Sequence, residues 1–401
     1  MKVLQVNVVY NTGSTGTIMY DIHSRLLKEG HDSVICYGRG AKTSDKGVVK
    51  TCHEPYAKFF NLFSRISGLP YGGLCLSTNR LIKQIKNEKP DVVHLHCLNG
   101  FFVNIYKLVK FLNNSGIPTV LTLHAEFMHT ANCSHALDCD GFKTGCGRCK
   151  YLKRATRSLI FDRTAKSFKM MKSSFDGFEK LVVASVSPWL TERAKSSPIL
   201  ADKKHTVVLN GTNTEIFKPY ETESLKQELG VSGFKTVFHA TPCFTADKNH
   251  IKGGYYVLKM AEAFKDVKFV VAGPYEKDLK VPGNVILLGK VSDRKELARL
   301  YSMADVTLLT SKKETFSMIV AESLCCGTPV VGFEAGGPET ITIDEFSSFV
   351  DCEDVAAMER ALAEALEYDY DSSKIAAAAN DKYSKDNMTS DYLELYEKIR
   401  E

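Results

Sequence analysis

Short apolar runs rich in β-branched residues alternate along this chain with stretches of helical spacing. Residues 3–9, 33–37, 91–96 and 119–124 have the pattern of buried strands. Helical patterns over about 17–29 and 104–114 fall between them. The series continues with short strands at 180–184 and 206–209, on either side of Ser187-Pro188-Trp189, a helix-start signal. Beyond the polar stretch at Lys218-Pro219-Tyr220 a second series begins, with strands at 235–239, 267–272, 285–288, 306–309 and 329–333. Helical patterns lie between these too, among them 297–302 and 318–325. Strands alternating with helices make βαβ units and a parallel sheet. The expected fold is α/β, with two doubly wound Rossmann-like domains and a cleft between them, because such sheets bind ligands at the carboxyl ends of their strands. The predicted domains are 1–205 and 206–385, and a last helix in 386–401 is expected to cross back to the first domain.

Length agrees with this division, since 401 residues exceed one ordinary domain. Nothing near Met1 resembles a signal peptide, and no stretch reaches the roughly 20 apolar residues of a membrane span. A cytoplasmic protein with at most peripheral membrane contact is expected. Charge is uneven. Residues 1–200 carry 28 Lys+Arg against 14 Asp+Glu, a surplus of 14, and the rest carry 24 against 33, a deficit of 9. A basic half suits an anionic partner, such as nucleic acid, lipid surface or phosphorylated substrate, with drift of surface charge as the lesser alternative.

The densest candidate chemistry lies at 314–331. Glu314 is predicted in a loop after a strand and Glu322 on the following helix. A carboxylate accepts two hydroxyl hydrogen bonds, which suits a ribose or hexose. The amides of Thr315, Phe316 and Ser317 open the helix, where phosphate oxygens can bind. Taken alone, two glutamates are better explained as surface charges. Gly13 and Gly16 sit in the turn between the first strand and helix, as a tight turn or a phosphate contact. His124 ends a strand at the edge expected to face the site. His94 and His96 point to one face of their strand, where packing explains them.

Together, these segments resemble the E-x7-E signature and companion motifs of family 4 glycosyltransferases. They comprise Glu314 to Glu322, Cys326-Gly327-Thr328-Pro329-Val330-Val331, Gly336-Gly337-Pro338-Glu339, Asn210-Gly211-Thr212-Asn213 with Phe217 and Pro219, Lys252-Gly253, and Asn11-Thr12-Gly13-Ser14-Thr15-Gly16. The resemblance extends to bacterial capsule and exopolysaccharide enzymes of the colanic acid type. It implies a GT-B fold and retaining transfer of a hexose-type sugar from a nucleotide-sugar donor, UDP-linked by preference and GDP-linked next. The implied acceptor is a glycan or polyprenyl-diphosphate-linked glycan. By the same resemblance Glu322 holds the donor ribose, Glu314 and His124 attend the transferred sugar, and Lys252, Gly13 and Gly16 attend the diphosphate. No catalytic metal is implied. One departure is plain: relatives carry an arginine where this chain reads His239-Ala240-Thr241-Pro242-Cys243, and Lys248 is the candidate substitute.

Four cysteines, Cys133, Cys139, Cys146 and Cys149, follow a C-x5-C-x6-C-x2-C spacing that suits either a structural zinc or a loop of reduced thiols. The other eight read as core filler. From 143 to 172 there are ten Lys or Arg and one acid, Asp162, with Phe161, Ala165, Phe168 and Met171 at helical spacing. This predicts an amphipathic basic helix whose apolar face belongs to the core or docks on anionic lipid. A zinc-knuckle nucleic-acid binder leaves the 314–322 region unexplained, so no nucleic acid partner is expected. A non-catalytic nucleotide-sugar or polysaccharide binder, or an epimerase of the same fold, stays open as an alternative.

Overall fold

The structure, a computed structural model, describes residues 1–401. It divides into two compact units, Met1–Leu209 with Thr389–Glu401, and Asn210–Met388. The first holds strands β1 Lys2–Asn7, β2 Asp32–Tyr37, β3 Val48–Lys50, β4 Val92–Leu95, β5 Thr119–Leu123, β6 Leu181–Ser185 and β7 Lys204–Val207. They form one sheet in the order β3-β2-β1-β4-β5-β6-β7, all parallel. The second unit holds β8 Thr236–Ala240, β9 Lys268–Ala272, β10 Val285–Gly289, β11 Val306–Leu309, β12 Val330–Phe333 and β13 Ser347–Val350. Their order is β10-β9-β8-β11-β12-β13, again parallel. Parallel strands are covered on both faces, which is why β4, β5, β11 and β12 are buried along their whole length.

In both sheets the order reverses beside the first strand, between β1 and β4 and between β8 and β11. Loops leaving adjacent strands there diverge to opposite faces and open a crevice at the carboxyl ends. Each unit therefore offers one built-in binding edge.

Several elements differ from expectation. The first helix is Gly13–Lys28, not 17–29, because Gly13 takes a positive φ of 64° directly after an extended Thr12. The basic segment is not one helix. A π turn covers Leu152–Thr156, Arg157 takes a left-handed φ of 59°, and the regular helix is only Thr164–Phe175. Two ties hold this break: the Leu159 amide donates to the Arg65 carbonyl at 2.7 Å, and Asp162 accepts from the Thr164 amide. Phe168 and Met171 are buried. The helices Glu54–Ser67 and Cys75–Glu88 were not expected at all.

The C-terminal helix Lys385–Arg400 contributes to both units, changing from one to the other at Thr389. Its start is clamped by the Asn210–Asn213 motif: Thr212 and Lys385 exchange a backbone bond at 2.9 Å, and a Cβ at Gly211 would fall 2.6 Å from the Lys385 Cα. Its end closes a buried polar cluster, with the Tyr396 hydroxyl 2.6 Å from His94 Nδ1 and the Tyr392 hydroxyl 2.9 Å from Thr122 Oγ1. The packing role assigned to His94 is thus observed.

Candidate active site

Lys252 and Glu314 leave from either side of the reversal point in the second sheet, on the loops after β8 and β11. Their side chains meet, Lys252 Nζ to Glu314 Oε1 at 2.5 Å, each about a quarter exposed or less. The two loops also approach closely through their backbones. Gly253 has φ 68°, and a Cβ there would lie 1.9 Å from the Thr310 carbonyl oxygen, so only glycine lets the two loops touch. Glu314 is fixed from the other side: its amide donates to the Ala335 carbonyl and its carbonyl accepts from Gly337. Glu339 holds that partner loop by accepting from the Ala335 and Gly336 amides.

The chain then turns into the helix Met318–Cys325 through Ser317, a non-glycine at φ 84°. Strain of this kind persists where the surroundings over-determine it. The Ser317 hydroxyl is buried without a hydrogen-bond partner, and Ser317 does not cap the helix with its side chain. Thr315 and Phe316 therefore precede the helix, which was expected to open with them, and the Ser317 side chain does not cap its positive end. The Phe316 side chain is buried in the core, so its contribution to a ligand is limited to its backbone.

Glu322, inside this helix, lines a cavity of about 430 Å³ with Ala240, Thr241, Gly273, Lys290, Leu297, Tyr301 and Ile319. A cavity this size, mostly apolar with few polar groups, is of ligand-binding type. Burial pushes the Glu322 carboxyl up to about 7, against the pull of the Arg294 charge and a hydrogen bond from the Tyr301 hydroxyl at 3.4 Å. A perturbed acid in a pocket at a strand-end crevice marks a functional group. Tyr301, Leu297 and Arg294 lie four and three residues apart on the helix Arg294–Met303, a spacing that places them along one side of it. Sequence reasoning missed them because only the fold brings that side against Glu322. Lys248 stands apart: it is exposed, its carbonyl accepts from Lys312, and its charge is felt by Glu353. His239 does not replace the absent arginine either, since burial pushes it down to about 4 and Nδ1 faces the Leu308 carbonyl at 2.9 Å.

With this geometry, comparison with known proteins is decisive. The model described as Glycosyltransferase Family 4 matches residues 15–215, half the chain, and that of Glycosyl transferases group 1 matches 246–382. The chain belongs to this glycosyltransferase family. This glycosyltransferase is 21% identical to the colanic acid biosynthesis glycosyl transferase WcaC of Escherichia coli, over 100% of both chains. It is 22% identical to N-acetyl-alpha-D-glucosaminyl L-malate synthase of Bacillus anthracis, over 82% of this chain and 78% of that one. Sucrose-phosphate synthase from Thermosynechococcus elongatus shares its GT-B fold with a TM-score of 0.69 at 14% identity, covering 99% and 98% of the two chains. Anabaena HepE, solved with UDP and glucose, has a TM-score of 0.65 at 15% identity, covering 99% and 100%.

In the first unit of the glycosyltransferase, Gly13 and Gly16 lie at the start of the first helix, beside the β1/β4 reversal. A Cβ at Gly16 would crowd the Asn11 amide at 3.2 Å, so a close turn explains that glycine. His124 follows β5, its Nε2 3.2 Å from His96 Nδ1, and burial pushes it down to about 4. It is neutral at ordinary pH. Glu126, two residues on, is fully buried and structural: Arg193 Nε donates to it at 2.5 Å and the Ala136 amide at 2.7 Å.

The cysteine loop follows. Cys133, Cys139, Cys146 and Cys149 are free and half-buried, and Cys146 lies close enough to Cys139 and Cys149 for their charges to be felt. In donor chemistry they suit zinc, but no three His, Cys, Asp or Glu side chains are arranged to hold a metal. The Cys146 thiol is turned instead towards the Thr130 carbonyl at 3.5 Å. Cys36, Cys52, Cys97, Cys325 and Cys326 are buried, as core filler should be, whereas Cys75, Cys243 and Cys352 are exposed and are not.

Proposed function

We propose that this glycosyltransferase moves a hexose-type sugar, with retention, from a nucleoside diphosphate carrier to a glycan or polyprenyl-diphosphate-linked glycan in capsule or exopolysaccharide assembly. The cavity over Glu322, at the same sheet edge as the Lys252–Glu314 pair, carries the proposal. The nucleoside enters the cavity, where Glu322 accepts both ribose hydroxyls. Lys252 and the amides of 315–317 take the diphosphate. As the bond from the sugar to the β-phosphate breaks, negative charge gathers on the leaving oxygen, and these donors stabilise it without reorganising. The acceptor hydroxyl attacks from the same face and yields its proton to the departing phosphate. Glu314 binds sugar hydroxyls, and neutral His124 serves as a hydrogen-bonding group, not a cation. Uridine is the favoured base, supported by the UDP complex of HepE, with guanosine next. We further propose a cytoplasmic protein with peripheral contact at the inner face of the plasma membrane, where a polyprenyl-linked acceptor would lie.

Thermal shift with UDP, GDP, ADP and their sugars tests the donor site. One base is expected to add about 2.7 kcal/mol at 100 times its dissociation constant. Glu322→Ala removes the shift. Because the bound form needs the carboxylate of Glu322, which burial pushes up to about 7, affinity weakens as pH falls through that value. The loss approaches about tenfold per pH unit and is flattened in Glu322→Gln. No shift with any nucleotide would sink the proposal.

A structural zinc on the four clustered cysteines is a separate proposal, supported by their donor chemistry and proximity. It requires the thiols to turn inward from their present directions. About one zinc per gently purified chain, reduced in Cys146→Ser, is expected, and less than about 0.2 overturns it.

A further inference from the structure

The helix Glu54–Ser67 is inside out. Phe59, Leu62, Phe63 and Ile66, spaced i, i+3, i+4 and i+7, are 61%, 56%, 49% and 43% exposed, while only Ala57 and Ser64 are buried. An apolar stripe of this width ordinarily faces a core. Beside it runs the break in the basic segment, where residues 159–161 expose three more apolar side chains, Ile160 at 61%. The two are one surface. The Leu159 amide bonds to the Arg65 carbonyl, and Gly68, closing the helix, has no room for a Cβ against the Phe161 carbonyl, 2.2 Å away. Soluble chains rarely leave so many large apolar groups together in water without a use for them.

We infer that this surface docks on an anionic lipid membrane. The rim supplies the charge. Lys58, Arg65, Lys153, Arg157, Arg163 and Lys166 are exposed on the same segments, and Arg163 stands 5.3 Å over the Phe161 ring. Asp162, the one acid from 143 to 172, directs its oxygens to the Cys149 and Thr164 amides. Glu54 is bound by Arg39. Aromatic and aliphatic side chains at the centre of a lysine and arginine rim match the boundary between acyl chains and acidic headgroups. The surface is not the helix Thr164–Phe175, whose apolar positions Phe168, Met171 and Phe175 are buried. That it brings the enzyme to a lipid-linked acceptor rests on the proposed function; the docking itself does not.

Vesicle sedimentation of the full chain tests it. Binding is expected to phosphatidylcholine vesicles with about 30 mol % phosphatidylglycerol, weakened by salt, and not to phosphatidylcholine alone. Phe59→Ser, Phe63→Ser and Ile160→Ser combined should lower partitioning about tenfold or more. Lys58→Glu with Arg65→Glu should also weaken it. An unchanged nucleotide-induced thermal shift in these variants shows that they are folded and keeps a failed donor site distinguishable from failed docking. Equal binding to both vesicle types overturns the inference, as does no binding, or a wild-type dimer that the triple variant makes monomeric.

Discussion

Replacing Lys252 with alanine is expected to lower kcat/KM for sugar transfer by about 10²–10³-fold. The lysine sits in the loop after β8, 2.5 Å from Glu314, and is followed by Gly253, which packs closely on Thr310. Its neighbours offer no replacement, since Lys248 is turned out to solvent near Glu353 and His239 is neutral. Charge building on the leaving phosphate would then lose the cation that meets Glu314. Stability should scarcely move. The Lys252–Glu314 pair is partly solvated, a class worth roughly 0–1 kcal/mol, so a shift of no more than about 3 °C in melting temperature is expected. Lys252→Arg should recover part of the rate. Transfer by the alanine variant within about threefold of wild type would remove Lys252 from the transition state.

Arg193→Ala should have the opposite profile, a large loss of stability. Glu126 has no exposure, and its charge is held by Arg193, by the Ala136 amide and by His129 at 3.5 Å. Stripping the guanidinium leaves a buried carboxylate unmatched, at a cost of about 3–5 kcal/mol. For a unit of this size that is about 10 °C in melting temperature. The guanidinium also lies over the Phe142 and Trp189 rings at 4.8 and 4.9 Å, so its loss loosens the cysteine loop as well. Burial alone would raise the Glu126 carboxyl, but His129 and Arg193 outweigh it and hold it at about 2. A lowered acid stabilises the fold above its unfolded value of about 4.3, and that contribution fades as pH drops towards 2. The gap between wild type and variant should therefore narrow across that acid range. Calorimetry finding a gap below about 1 kcal/mol at neutral pH would show the pair to be solvated.

Much of the candidate site was legible because its determinants are local. The alternation of apolar runs with helical spacing predicted parallel sheets, and both are present. The Glu314–Glu322 spacing placed one carboxylate in a loop and the other on the following helix, because so short an interval survives in the linear chain; the close approaches that require Gly253 and Gly337 became visible only in the fold. Glu126 was not legible as structural, because its partner lies 67 positions away. Tyr301 and Arg294 escaped notice for a similar reason, belonging to an ordinary amphipathic helix until the fold lays it against Glu322.

Sequence alone determined the fold class and named Lys252 and Glu314 separately; that their side chains meet across the reversal point was decided by the fold. Tertiary structure decided which apolar stripes are covered. Phe168 and Met171 and the stripe Phe59–Ile66 share the same helical periodicity, yet one pair is buried and the other stripe faces solvent. Periodicity records only that a helix has an apolar side; what lies opposite that side depends on contacts between distant segments, and these exist only once the chain has folded.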